Sequence, residues 1–189
     1  MIKIGVAGAL SRIGTTTQAI QLVKAAKNEG KKVVYVEYNK KDYLSQVLKL
    51  YSTAKDQKKK IQISGIDMIK KEYAKDINKR LCDIAVFDFG NMDRRDFPLE
   101  DFLDCQHRVI VCGIKPNEIF KLETLLKKRE FNDDWFLFSF IPKGEEMIVT
   151  SYMGNLKNHV LFTDPIYDPF QNSENSLILK KIFFSLHNN

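Results

Sequence analysis

Ile2-Lys3-Ile4-Gly5-Val6-Ala7-Gly8 runs into Ala9-Leu10-Ser11-Arg12-Ile13-Gly14-Thr15-Thr16-Thr17, and an amphipathic stretch from Gln18 to Asn28 follows. The first segment is a short apolar run of strand type, the second a glycine- and hydroxyl-bearing loop, the third a helix. Strand, loop and helix start together make a phosphate cradle. The first N–H groups of a helix have no internal acceptor and point at any anion placed there. Phosphate-binding loops follow the pattern G-x-x-x-x-G-K-[ST]. In that register the chain reads Ala9-x-x-x-x-Gly14-Thr15-Thr16, so threonine stands where the lysine is expected.

Outward from this opening, apolar runs and helical stretches alternate to the end of the 189-residue chain. The pattern predicts strands at 2–7, 33–38, 84–89, 108–113, 134–141 and 159–163, and helices at 15–28, 42–54, 70–80, 116–129, 143–153 and 175–186. Segment 61–69 reads as a short strand or a hairpin. Runs such as Ile84-Ala85-Val86-Phe87 and Val109-Ile110-Val111-Cys112 are continuously apolar, as in strands covered on both faces. The expected fold is therefore α/β: a doubly wound, mostly parallel sheet with helices on both faces, in one domain spanning 1–189.

Composition narrows the function. Apolar residues at 44% and charged residues at 29% describe a globular chain, and no apolar run approaches a membrane span. Met1-Ile2-Lys3 leads straight into a strand, so no signal peptide is expected, and Cys82, Cys105 and Cys112 read as free thiols of a reducing, cytoplasmic protein. The three histidines show no metal-ligand spacing. A net charge of +6 suits an anionic partner; nonspecific DNA or a membrane surface are the candidates. The run Lys58-Lys59-Lys60 reads as a solvated loop.

Ligands of such sheets bind beyond the carboxyl ends of the strands. That edge collects the 8–17 loop, Glu37 and Asn39 from the second strand, Asp88 from the third, Ser139 and Pro142 from a later one, and Asp164 from the last. Gly14 allows close backbone approach to a phosphate, and Thr15, Thr16 and Thr17 supply hydroxyls to phosphate or to Mg²⁺. Asp88 is placed to attend Mg²⁺ alongside Thr16, and Glu37 to polarise an attacking water.

The Gly8–Thr17 loop, the strand Val33-Val34-Tyr35-Val36-Glu37-Tyr38-Asn39, the segment Asp83–Gly90 and the late Asp164-Pro165 resemble the ParA/MinD family of deviant Walker A ATPases. That resemblance implies a P-loop fold, ATP or ADP with Mg²⁺ as ligand, a homodimer, and recruitment of a protein partner. Gly8, Ser11, Arg12, Ile13, Gly14, Thr15, Thr16, Thr17, Asn39 and Pro142 become its nucleotide-contacting positions. The departures are specific. The family's signature lysine falls on Leu10 and its P-loop lysine on Thr15, its paired glycines fall on Ser11 and Arg12, and its two acids on Glu37 and Asn39. A loop lacking the lysine is similar to the TadZ/CpaE group of localisation factors. Losing a cation aimed at the transferring phosphate slows hydrolysis roughly 10²–10³-fold or more. Arg12 partly substitutes, since guanidinium suits phosphate. The expected protein is a pseudo-ATPase that binds nucleotide weakly, or a scaffold with no ligand at all.

Two competing readings stand beside this one. Gly8-Ala9-Leu10-Ser11-Arg12-Ile13-Gly14 also resembles the turn of dihydrodipicolinate-reductase-type Rossmann enzymes, with Glu37 holding a ribose, which implies an NAD(P)-dependent oxidoreductase. The terminal stretch 175–186 reads as a last helix packed on the sheet or as a basic amphipathic membrane anchor. Asp93-Arg94-Arg95-Asp96 reads as a nucleotide-reporting switch or as a polar loop.

Overall fold

Seven parallel strands side by side form the body of the sheet, and the central ones come from apolar runs buried on both faces. The computed structural model describes residues 1–142 and 144–184. In chain order the elements are β1 (Ile2–Gly8), α1 (Thr15–Asn28), β2 (Val33–Glu37), α2 (Tyr43–Leu50), β3 (Lys55–Asp56), β4 (Lys60–Ile63), β5 (Ile66–Lys70), β6 (Ile84–Asn91), α3 (Leu99–Leu103), β7 (His107–Cys112), α4 (Pro116–Leu126), β8 (Trp135–Ser139), α5 (Glu146–Tyr152), β9 (Val160–Thr163) and α6 (Asn175–Phe184). The sheet order is β3-β4-β5-β2-β6-β1-β7-β8-β9. β5 through β9 in that order are parallel, while β4 runs antiparallel to β5 and β3 antiparallel to β4.

Two apolar layers sandwich the sheet. One gathers Ala19, Ile20 and Val23 of α1, Leu44 and Val47 of α2, and Leu179, Ile182 and Phe183 of α6. The other gathers Phe102 of α3, Leu122 and Leu125 of α4, and Val149 of α5. Helices therefore cover both faces, as the doubly wound reading predicts. Every residue of β6 is buried. The chain leaves β1 toward one face through α1 and leaves the adjacent β6 toward the other through α3. This divergence opens a crevice at the carboxyl ends of β1 and β6, the place where such sheets take ligands.

Some sequence expectations hold and others are corrected. Segment 61–69 is the β4–β5 hairpin, turned by Ser64 and Gly65 at φ 49° and 74°. No α-helix forms over 70–80. A 3₁₀ stretch, Lys71–Asp76, stands there, because Ile77 alone of this region is buried and a helix would have no apolar stripe to lay on the sheet. The run Lys58-Lys59-Lys60 sits at the β3–β4 turn, with Lys59 paired to Asp76 at 2.9 Å and Lys60 to Asp67 at 3.0 Å. α2 stops at Leu50, short of 54. The short α3 was not expected; Pro98 precedes it and buried Phe102 anchors it. The 143–153 helix is seen as Glu146–Tyr152, and Lys143, Ser185 and Leu186 of the expected helices lie outside the described residues. α6 packs its apolar side against α1, which is the plainer of its two readings. Among the described residues no helix is long and apolar enough to cross a membrane.

Candidate functional site

The crevice is built first from backbone. Gly8 ends β1, and its carbonyl accepts the Met92 N–H at 2.8 Å, while the Ala9 N–H donates to the Val111 carbonyl at 2.8 Å. These two bonds fix the start of the loop between the strands that flank β1. Gly14 caps α1 at φ 90°, a left-handed conformation that side chains resist. No side chain caps this helix and no acidic residue lies in its first turn. α1 begins at Thr15, so the N–H groups of Thr15, Thr16 and Thr17 precede its first intrahelical bond; the next, that of Gln18, bonds the Gly14 carbonyl at 3.0 Å. The positive end of the α1 dipole is thus left uncompensated at the mouth of the crevice.

Gly8 matters by size. A Cβ there would collide with Thr15 Oγ1 and would come within 2.8 Å of Ile13 Cγ2 and 3.0 Å of the Leu10 carbonyl oxygen. Thr15 and Ile13 are both buried, so the loop is closed at its base by its own side chains. Ser11 and Arg12 are exposed, with Arg12 at φ 60°. Thr16 and Thr17 are half-buried at the helix start.

Asp88 stands beneath the loop with no exposed surface. Thr16 Oγ1 donates to its Oδ2 at 2.7 Å, Tyr35 Oη donates to the same oxygen at 2.8 Å, and the Gly90 N–H donates to Oδ1 at 2.9 Å. A register shift between Val6 and Ala7 in the β1–β6 pairing places a bulge beside Asp88, and this is what brings the Gly90 N–H onto the carboxylate. A buried carboxylate needs several donors to hold its charge, and three are present. Burial and the Asp88 charge together drive the Tyr35 phenol well above its ordinary pKa, so it stays a donor.

Glu37 pairs in register with Asp88 across β2 and β6, yet its carboxylate turns to the N-terminus of α2. It accepts the Tyr43 N–H and, at 3.4 Å, the Leu44 N–H, so it serves as the cap of that helix. Burial raises its pKa, and the two backbone donors act against that rise. Asn39 donates from Nδ2 to the Asp88 carbonyl at 3.2 Å and accepts the Lys41 N–H at 2.9 Å. Pro142 is exposed, and its carbonyl accepts the Glu145 N–H at 3.1 Å. Arg94 grips Asp96 with two nitrogens at 3.0 and 2.9 Å, and Lys40 joins the same carboxylate at 2.8 Å.

Three neighbours of the loop went unread in the sequence. Tyr35 shares a strand face with Glu37 two residues on, and a tyrosine in an aliphatic buried strand signals a hydroxyl partner. Gln18, one turn into α1, donates to Ser139 Oγ at 2.8 Å and Thr163 Oγ1 at 3.1 Å at the ends of β8 and β9, and its own Oε1 is buried without a partner. Phe140, at φ 62° and exposed, sets its ring about 4.0 Å from where a Cβ on Gly14 would stand.

The class is set by the fold: a three-layer α/β sandwich, with the loop after β1 facing an acid near the end of β6. In particular the fold is of the ParA/MinD type. The MinD cell division protein of Aquifex aeolicus superposes with a TM-score of 0.67 at 14% identity, covering 100% of this chain and 98% of that one. A chain of the MinC:MinD cell division protein complex of Aquifex aeolicus gives 0.64 at 12%, covering 100% and 97%. A ParA, pNOB8, solved bound to nonspecific DNA, gives 0.55 at 13%, covering 93% and 83%. No family model and no curated protein sequence matches the chain. The Rossmann oxidoreductase alternative is not favoured by these likenesses.

Proposed function

We propose that this chain is a ParA/MinD-like nucleotide-binding scaffold whose Walker A loop has lost its chemistry. It binds ATP or ADP weakly, turns it over negligibly, and acts in the cytoplasm by dimerising and recruiting a partner. The observation that carries this reading is Thr15. At the position where the P-loop pattern has a lysine, a short buried uncharged side chain rests against Gly8.

The rest of the cradle fits the ligand in part. The N–H groups of Thr15, Thr16 and Thr17 at the uncapped start of α1 suit a phosphate chain, and Arg12 is the loop's one cation. Thr16 and Asp88 suit Mg²⁺, a hard cation that prefers oxygen ligands and would offset phosphate charge. Glu37 is committed to capping α2 and is a vestigial water-positioner on this reading. A site with binding groups intact and catalytic groups absent or engaged holds a ligand without transforming it.

Titration calorimetry with ATP, ADP, NADH and NADPH, each with and without Mg²⁺, is the test, paired with a phosphate-release assay. Weak adenine-nucleotide binding with phosphate release near background is expected. Brisk turnover by the unaltered protein, or a preference for NADH or NADPH, overturns the reading.

A further inference from the structure

Exposed large apolar side chains concentrate far from the cradle loop in sequence. Phe120 on α4 and Met147, Ile148 and Tyr152 on α5 are 76%, 80%, 68% and 45% exposed. Between these two helices lies a groove of about 170 Å³ lined by Ile114, Leu122, Phe138, Ile148, Val149 and Tyr152. Apolar exposure of this density on two adjoining helices marks an interaction surface.

Its charge is opposite to that of the chain. Glu145 lines the groove, the Glu118 carboxylate stands over Gly113 in its wall, and no lysine or arginine is among the described residues that line it, whereas the whole chain is at +6. The nearby Glu123 carboxylate raises the Tyr152 phenol to about 12, which sets another acid beside a residue that lines the groove. Glu118 bonds the Lys115 N–H at 2.9 Å, and Glu146 the Gly144 N–H at 3.1 Å.

We propose that this groove docks an amphipathic helix of a partner protein, with the helix's apolar stripe filling it and its lysine or arginine side chains meeting these glutamates. The volume is well below the roughly 300–1,000 Å³ of small-molecule sites, so it suits inserted side chains. β8 beneath it is paired on both edges, which leaves no strand edge for an extended peptide. An acidic rim repels an anionic lipid surface. A second copy of the chain offers no matching helix in α6, whose apolar stripe is already buried against α1. The inference deepens the recruitment half of the proposed function, and its test uses no nucleotide, so the two fail separately.

The probe is a fluorescent leucine/lysine amphipathic peptide of roughly 18 residues, with a leucine/glutamate peptide of the same pattern as comparison. Fluorescence anisotropy should show the lysine peptide bound and the glutamate peptide unbound. Ile148→Asp, at an exposed position that tolerates charge, should weaken binding at least ~10-fold, and Glu145→Lys several-fold. Leu50→Asp, exposed on α2, should leave it unchanged. Absence of binding, equal binding by Ile148→Asp, or equal loss in Leu50→Asp overturns the proposal. So does a halving of native mass in Ile148→Asp by light scattering, which would assign the face to a second copy.

Discussion

Thr16 Oγ1 donates to Asp88 Oδ2 at 2.7 Å, joining the first turn of α1 to the end of β6 across 72 positions of sequence. The same oxygen takes the Tyr35 hydroxyl, so two strands and a helix converge on one buried carboxylate. Removing one donor should therefore be felt globally. Tyr35→Phe deletes a hydrogen bond to a charged group and should cost about 1.5–3 kcal/mol in urea unfolding. A change under about 0.5 kcal/mol would mean that water restores the bond, and the carboxylate would then be open to solvent.

The base of the loop gives a second expectation. Gly8→Ala puts a methyl group into Thr15 Oγ1 and against Ile13. Overpacking of this kind costs about 1–3 kcal/mol. Adding Thr15→Ala removes the nearest atom and should recover part of that loss, leaving the Ile13 and Leu10 contacts to account for the remainder. Strict additivity of the two substitutions would show that Thr15 does not rest on Gly8.

Much of this architecture is legible in the chain because the parallel strands are continuously apolar and flanked by helical periodicity. The ends of β1, β2 and β6 could be read, and with them the positions of the 8–17 loop, Glu37 and Asp88. What could not be read is where a side chain turns once it arrives. Glu37 sits at the ligand edge by register, yet caps α2, because buried N–H groups of Tyr43 and Leu44 compete for its carboxylate. The 70–80 segment has helix-forming composition but too little apolar surface to be held as an α-helix, and local propensity yields to packing there. β3 is two residues long, below any pattern that alternation can reveal.

Burial also sets an alkaline limit on stability. It raises the Cys82 thiol from 9.0 to about 11 and the Cys105 thiol to about 12, and pushes Cys112 higher still. Above pH 9 the unfolded chain sheds thiol protons that the native chain keeps. Stability carried by these groups is therefore complete below pH 9 and declines as pH rises through 11 and 12. Denaturation midpoints should fall over that range, and Cys82→Ala should flatten the early part of the fall. Native thiols should resist alkylation at pH 8 and react once urea is added.

At the amino-terminal end of β7, Arg108 pairs with buried Asp134 at 2.6 Å and also donates to the Leu103 and Glu130 carbonyls at 3.1 and 3.2 Å. Burial raises the Asp134 pKa, and Arg108 acts against that rise. Arg108→Ala would strand the carboxylate and should cost about 3–5 kcal/mol. Pairing it with Asp134→Leu should recover most of the loss, because the buried charge goes with its partner. Unfolding curves for the two single variants and the double variant check this, and a double variant no better than Arg108→Ala would assign the cost to the lost carbonyl contacts.

Thr15→Lys asks the cradle itself for an answer. A lysine there must leave the packed base of the loop and extend toward the space in front of the N–H groups of Thr15, Thr16 and Thr17. If those groups face a nucleotide's phosphates, the ammonium adds a charge-assisted bond of about 1.5–3 kcal/mol, or roughly 10–100-fold in affinity for ATP. Phosphate release should rise above background while remaining slow, since Glu37 is still held by Tyr43 and Leu44. Thr17→Lys carries the same added charge two residues along the helix and should give far less. Calorimetry on both variants, with circular dichroism to confirm folding, separates a placed cation from general attraction. Equal gains at the two positions, or none at either, would mean that the loop does not present its amides to phosphate.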